Sequence, residues 1–169
     1  MSFVPEFLTP KIQNIPEELK LQPWAVWKGI PRKGQPGKYD KPPTCPRGGH
    51  KIGTDKPHLF GTFDEAVAAY TQSNKYSGIG VLLTGNGIVG VDIDDFKQTF
   101  LKKPEVKLWV QDAIEAGVYG ELSPSGTGLR FFMLGSWNGS GRKSGKLEIY
   151  QTTRFLTVTG QRLTMEDCK

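Results

Sequence analysis

The chain has 169 residues, 37% hydrophobic and 23% charged, which suits one globular domain with its own core. No apolar run is long enough to span a bilayer, Met1-Ser2-Phe3-Val4-Pro5-Glu6 lacks a signal-peptide layout, and Cys45 and Cys168 have no metal-ligand spacing. These features argue against a disulfide framework, a zinc site or a membrane partner and predict a cytoplasmic protein, while a net charge of +5 permits nucleic-acid binding without demonstrating it.

In chain order, Pro16-Glu17-Glu18-Leu19-Lys20 predicts a short helix, with proline in its first turn, acids at its start and Pro23 beyond its end. Trp24 to Lys28 alternates as a strand, with its two indoles expected to share one face and to pack. Between Lys28 and Lys56, the cations Lys28, Arg32, Lys33, Lys38, Lys41, Arg47, Lys51 and Lys56 stand against only Asp40 and Asp55. Pro31, Pro36, Pro42, Pro43 and Pro46 interrupt the same stretch, which predicts long loops, either simply solvated or forming a basic surface for phosphates. Thr62-Phe63-Asp64-Glu65 is a capping box, followed by a helical stripe of Phe63, Ala66, Val67 and Tyr70. Two apolar runs, Ile79 to Leu83 and Ile88 to Ile93, flank Thr84-Gly85-Asn86-Gly87 and predict a β-hairpin.

A second helix is expected from Pro104, with Val106, Trp109, Val110, Ala113 and Ile114 at helical spacing and Gly117 as its stop. Strands follow at 119–122, 129–134, 146–150 and 154–159, the last extended over 161–163. A hairpin, a helix and further strands predict an α+β fold, an antiparallel sheet backed by helices. The tail Thr164 to Lys169 carries no stop signal, and further domains are expected beyond it.

The most informative residues lie at the end of the second hairpin strand, in Gly90-Val91-Asp92-Ile93-Asp94-Asp95. Alternation along a strand points Asp92 and Asp94 the same way with Cα atoms roughly 6.5–7 Å apart, and points Asp95 to the other face. Two like charges so placed call for a cation between them, and carboxylate oxygens suit a hard divalent ion. A strand end running into a solvated acidic loop is the alternative. Downstream, Ser123-Pro124-Ser125-Gly126-Thr127-Gly128-Leu129-Arg130 reads either as a tight turn or as an anion nest. In the nest, backbone N–H groups and the Ser125 and Thr127 hydroxyls point outward and Arg130 grips a phosphate. It is not a P-loop, because no Gly-Lys-Ser/Thr closes it and a strand follows. Glu148, between Leu147 and Ile149, is either a solvent-facing residue or, if its strand lies beside that of Asp92, a third carboxylate. Three carboxylates can hold two divalent ions for phosphoryl chemistry. Arg154 follows at the start of the next strand.

Asp92-Ile93-Asp94, Ser125-Gly126-Thr127-Gly128-Leu129-Arg130, and Leu147-Glu148 with Arg154 to Gly160 resemble, in order and spacing, the three motifs of the archaeo-eukaryotic primase superfamily. The likeness is to the primase-polymerase domains of phage and plasmid replication proteins. Trp24 to Trp27, Lys41-Pro42-Pro43, Thr54-Asp55 and Gly61 to Ala66 are similar to the lead-in of such domains. The resemblance implies an RRM-like antiparallel catalytic sheet, residues 76–163, joined to a small N-terminal α/β unit, residues 15–75, within a domain spanning 1–163. It implies that Asp92, Asp94 and Glu148 bind two Mg²⁺ or Mn²⁺ ions and carry catalysis. It also implies that Ser125, Gly126, Thr127, Gly128, Arg130, Arg154 and Lys41 seat a nucleoside triphosphate. Arg130 stands where the family has histidine, and arginine binds phosphate but does not titrate near neutral pH. Lys28, Arg32, Lys33, Arg142, Lys143 and Lys146, with Trp137 nearby, are candidates for contact with single-stranded DNA template. A helicase domain in the same or a partner chain is a further expectation. The function expected is metal-dependent primer synthesis on single-stranded DNA, the alternatives being a non-catalytic replication-initiator module and a metal-dependent nuclease.

Overall fold

A computed structural model describes residues 6–138 and 142–169, apart from the side chains of Arg142 and Lys143. The chain is a mixed α+β protein. Among the described residues its strands form two antiparallel sheets and a two-stranded ribbon.

The first sheet joins β1 (Trp24–Trp27), β4 (Pro43–Thr44), β5 (Gly78–Thr84) and β11 (Thr152–Val158), in the spatial order β11-β5-β1-β4. The second joins β6 (Ile88–Ile93), β7 (Tyr119–Leu122), β8 (Leu129–Leu134), β9 (Arg142–Ser144) and β10 (Leu147–Tyr150), in the order β7-β8-β6-β10-β9. The ribbon pairs β2 (Ile30–Pro31) with β3 (Tyr39–Asp40). The basic segment is therefore not all loop: Pro31 and Pro43 lie in short strands, where a missing N–H costs little, while Pro36 and Pro46 lie in turns.

The expected hairpin is corrected. Although β5 and β6 are consecutive, they belong to different sheets, joined by a turn with Gly85 and Gly87 at positive φ. Strand β5 has both edges taken by β1 and β11, and β6 by β8 and β10, so neither has an edge left for the other. Local turn chemistry was compatible with a hairpin; long-range pairing overrode it. The two stretches expected as separate units also interlock, since β5 and β11 complete the sheet that β1 and β4 begin.

The sheets pack face to face. Ile79, Val81, Leu83, Leu156 and Val158 from the first meet Ile88, Tyr119 and Phe132 from the second, and Trp24, Val26 and Phe63 extend the same cluster. Gly90 lies where the approach is closest: a Cβ there would fall 2.5 Å from a Leu156 methyl and 3.0 Å from one of Leu83. The opposite face of the second sheet (Val91, Ile93, Leu129 and Phe131) is covered by α3 (Phe96–Lys102) and α4 (Pro104–Glu115) through Phe96, Val110 and Ala113. Helix α4, β7, β8, β10 and β11 fall close to their predicted ranges, but the expected extension over 161–163 is only an isolated bridge from Arg162 to Glu121, and α3 and β9 were not anticipated. Helix α1 (Glu17–Lys20) is short as expected, and α2 (Phe63–Thr71) is capped by the Thr62 hydroxyl, which accepts from the Glu65 N–H.

Trp24 and Trp27 do not share a face. Trp24 joins the inter-sheet cluster and meets Phe63 edge-on, whereas Trp27 packs edge-on against Phe7. Three residues apart on a strand means opposite faces, so period-2 alternation corrects the expectation. Both rings are buried and their indole N–H groups donate to the backbone carbonyls of Leu19 and Ile79.

One strained residue sets the phase of β11. Thr153 has φ +53, and the ladder with β5 slips there, passing from Thr152↔Thr84 to Arg154↔Leu83. This bulge puts Arg154 on the face of Leu83 and Leu156, toward the other sheet. A β-branched residue at positive φ costs about 1 kcal/mol. Thr153→Gly should therefore raise the melting temperature by about 3 °C, read by calorimetry; an unchanged or lower value would show that the bulge is not strained.

Candidate functional site

At the end of the inter-sheet face, apolar side chains give way to charged ones. In register across four strands stand Glu121 of β7, Arg130 of β8, Asp92 of β6 and Glu148 of β10. Direct cross-strand partners share a face, so all four point toward the first sheet. Asp94 lies just past the end of β6, where its N–H donates to the Lys146 carbonyl.

Asp92, Asp94, Arg130 and Glu148 form one wall of a cleft of about 510 Å³. Arg154, Leu156 and Thr157 of β11 form a second wall, and Arg32, Tyr39, Asp40 and Lys41 of the ribbon and its exit a third. Four acids (Asp40, Asp92, Asp94, Glu148) thus face four cations (Arg32, Lys41, Arg130, Arg154). Separate parts of the sequence, about 30–55, 92–94, 130 and 148–157, converge here.

The pairings are specific. Arg130 Nε donates to Asp92 Oδ1 at 3.2 Å, and its Nη1 donates to both the carbonyl and the hydroxyl of Thr157. Arg130 is thereby a strut between the sheets as well as the counter-charge of Asp92, and its Nη2 makes no hydrogen bond among the described residues. Glu148, 5% exposed, accepts from the Tyr150 hydroxyl at 2.7 Å, and an Arg154 amine lies 3.4 Å away. The Arg154 guanidinium sits 4.4 Å from the Tyr150 ring centre, and its Nε is buried without a hydrogen-bond partner. Arg32 pairs with Asp40 at 2.7 Å. The Lys41 and Asp94 side chains have no partner among the described residues.

That leaves Asp94 as the acid of the cleft without an ion pair. It reaches solvent at the mouth of the cleft, yet its carboxyl is held above the ordinary carboxylate range by the protein around it and then by the charges of Asp92 and Glu148. Lys41 is pushed down by burial and by Arg130 and Arg32, with Asp92 and Asp94 pulling it back. For Asp94 the folded state binds the proton more readily than the unfolded one. The destabilising effect of its charge is therefore full at neutral pH and fades as pH falls through the raised value toward the ordinary one, 3.8. Asp94→Asn should melt higher than the wild type at pH 7 without metal, and the difference should vanish near that lower limit. Equal melting at pH 7 would show that no such repulsion exists.

The Ser123–Gly128 loop sits beside the Asp94 turn, and Thr127 O accepts from the Phe96 N–H. It is a self-satisfied turn. The Gly126 N–H donates to the Ser123 carbonyl, the Gly128 N–H to the Ser123 hydroxyl, and the Ser125 and Thr127 hydroxyls bond each other at 2.8 Å. The outward-facing N–H groups expected at Gly126 and Gly128 are thus occupied, and none of Ser125, Gly126, Thr127 and Gly128 lines the cleft. Ser125 and Thr127 are exposed.

Of the basic candidates, Arg32 lines the cleft, Lys28 and Lys33 are exposed away from its lining, and Lys146 pairs with Asp95 at 2.9 Å. The side chains of Arg142 and Lys143 lie outside the described residues. Trp137 is 36% exposed, and both its backbone N–H and its carbonyl bond the Gln151 amide. Tyr39, Tyr150 and Thr157 were not anticipated. Tyr150 carried a signal, two residues from Glu148 on one strand; Tyr39 and Thr157 reach the cleft only through tertiary packing.

No protein-family model matches the chain, and no curated protein is significantly similar to it. No helix among the described residues is long and apolar enough to cross a membrane.

The fit of the expected divalent ions rests on the donor set. Asp92, Asp94 and Glu148 offer only hard carboxylate oxygens, the chemistry of Mg²⁺ or Mn²⁺, and such an ion would relieve the repulsion that Asp92 and Glu148 exert on Asp94. As the side chains stand, no three His, Cys, Asp or Glu among the described residues form a ready-made ligand cluster. Asp92 and Glu148 are instead engaged by Arg130, Tyr150 and Arg154.

Proposed function

We propose that this chain is the catalytic domain of a DNA primase/polymerase of the archaeo-eukaryotic primase type, joining nucleotides on a single-stranded DNA template. The observation that carries the reading is the adjacency of Asp92 and Glu148 in one register row. With Asp94 beyond, they face a cleft in which four cations stand within reach of a polyphosphate. In this reading the second sheet, backed by α3 and α4, is the RRM-like catalytic sheet.

Asp92, Asp94 and Glu148 would hold Mg²⁺ or Mn²⁺, which supplies activation of the attacking hydroxyl and charge neutralisation at the departing pyrophosphate. The chain's own groups do the rest. Lys41, Arg154 and Arg32 bind the triphosphate from two walls, and Arg130 adds Nη2 while its other donors keep the sheets in register. Tyr150 orients Glu148 through its hydroxyl and Arg154 through its ring face. The test is an unprimed single-stranded template with labelled nucleotides and Mg²⁺ or Mn²⁺. Labelled product that depends on metal and is lost in the Asp92/Asp94 variant supports the reading; no product with any metal or nucleotide sinks it.

One observation favours a second reading, a non-catalytic replication-initiator module. The Asp92–Arg130 and Glu148–Arg154 pairs neutralise two of the three acids without metal. That reading expects salt-dependent DNA binding indifferent to metal and to loss of Asp94.

A further inference from the structure

Outside the cleft, three lysines gather at one corner. The junction of α3 and α4, at Lys102 and Lys103, faces the tight turn between β9 and β10, where Gly145 has φ +61. Between them lies a notch of about 180 Å³ lined by Gln98, Thr99, Lys102, Lys103, Ser144 and Lys146, among others. Lys146 reaches from this turn to Asp95, and the fields of Lys146, Lys38 and Lys102 all act on that one exposed carboxylate. Asp95 is the residue after Asp94, so the notch adjoins the mouth of the cleft.

The corner therefore brings Lys102, Lys103 and Lys146 together around the notch, and Lys38 acts with Lys102 and Lys146 on Asp95 at its edge. Lys38, Lys102 and Lys103 make no side-chain hydrogen bond or ion pair among the described residues. Lys102 gains from the C-terminus of α3, which accounts for one cation but not for the others. The cleft itself is balanced, four acids to four cations; this lip carries the net positive charge.

We propose that the lip formed by Lys38, Lys102, Lys103 and Lys146 binds the phosphodiester backbone of a single nucleic-acid strand and leads it past Asp95 into the cleft. This rests on the reading of the cleft as a nucleotidyl-transfer site and names the route of the template. The contacts are to phosphates, so they are indifferent to base and sugar.

The test uses the full chain and fluorescein-labelled oligodeoxythymidine and oligouridine of equal length, with binding followed by anisotropy from 50 to 200 mM salt. The double variant Lys102→Ala/Lys103→Ala touches only exposed or half-exposed side chains. It should bind both oligonucleotides about tenfold more weakly at the lower salt, with a log–log salt slope shallower by about 1.4, roughly 0.7 per lost phosphate contact. Unchanged affinity and slope overturn the proposal, and so does a loss confined to one oligonucleotide, because a phosphate track cannot tell them apart. Nucleotide incorporation is measured in parallel. Weakened strand binding without incorporation in the wild type leaves the lip standing and refutes the polymerase reading. Incorporation by the wild type with unaltered strand binding in the variant does the reverse.

Discussion

Replacing Asp92 and Asp94 together by asparagine is expected to lower metal-dependent nucleotide incorporation by at least about a thousandfold. The ions' contribution to charge stabilisation is worth several kcal/mol, and about 4 kcal/mol corresponds to that factor. Asparagine keeps the side-chain volume and an amide oxygen able to accept from Arg130 Nε, so the link from β6 through Arg130 to Thr157 is preserved. The fold should survive: removing the Asp94 repulsion offsets part of the cost of leaving Arg130 without its Asp92 counter-charge. A second readout separates ion binding from turnover: Mn²⁺ should raise the melting temperature of the wild type and leave that of the variant unchanged. Activity within tenfold of wild type in the purified double variant would remove these residues from the chemistry.

The second large effect concerns a residue outside the cleft. Glu121 is fully buried, and its carboxylate accepts from the Thr159 N–H at 2.9 Å, the Gly160 N–H at 2.9 Å and the Tyr119 hydroxyl at 2.7 Å. It ties the outer strand of the second sheet to the turn that ends β11. Gly160 is required in that turn, with φ +64 and the Lys11 carbonyl where a Cβ would go. Burial pushes the Glu121 carboxyl up, while its three donors and Arg130 pull it back. Glu121→Ala leaves two backbone N–H groups and a phenol buried without an acceptor, at about 1–3 kcal/mol each. The expected loss is about 4 kcal/mol, or about 12 °C in melting temperature for a chain of this size. Glu121→Gln retains one acceptor oxygen and should lose about half as much. Urea unfolding curves measure both; an alanine variant within 1 kcal/mol of wild type, roughly the worth of one ordinary hydrogen bond, would show that water satisfies the turn.

Legibility from sequence differed by element for physical reasons. Helix α4 was readable because Pro104, a 3.6-residue apolar period and Gly117 are local signals, and β7 and β8 because short runs of apolar and aromatic residues lie between turn residues. Helix α3 was missed because Asp95, although followed by Gln98 at capping-box spacing, reads as part of the acidic strand end; in the structure it sits at φ +47 and its side chain does not cap the helix. The candidate site followed the same division. That Asp92 and Asp94 point one way follows from strand period alone. That Glu148 lies beside Asp92 was conditional on strand order, which no local pattern encodes.

By itself, then, the sequence determined the helical and strand segments whose start, period and stop are local, and singled out the three acids and the candidate cations. Tertiary structure alone decided which strands are neighbours. It sent β5 and β6 to different sheets, brought Lys41 and Arg154 to the cleft, and turned Arg130 onto Asp92 and Thr157. The physical reason is that hydrogen-bonding edges and the charges beside them are satisfied by partners far along the chain, as Arg130 is by Asp92 and Thr157, 38 and 27 residues away. Such pairings depend on the whole sheet and not on any window of sequence.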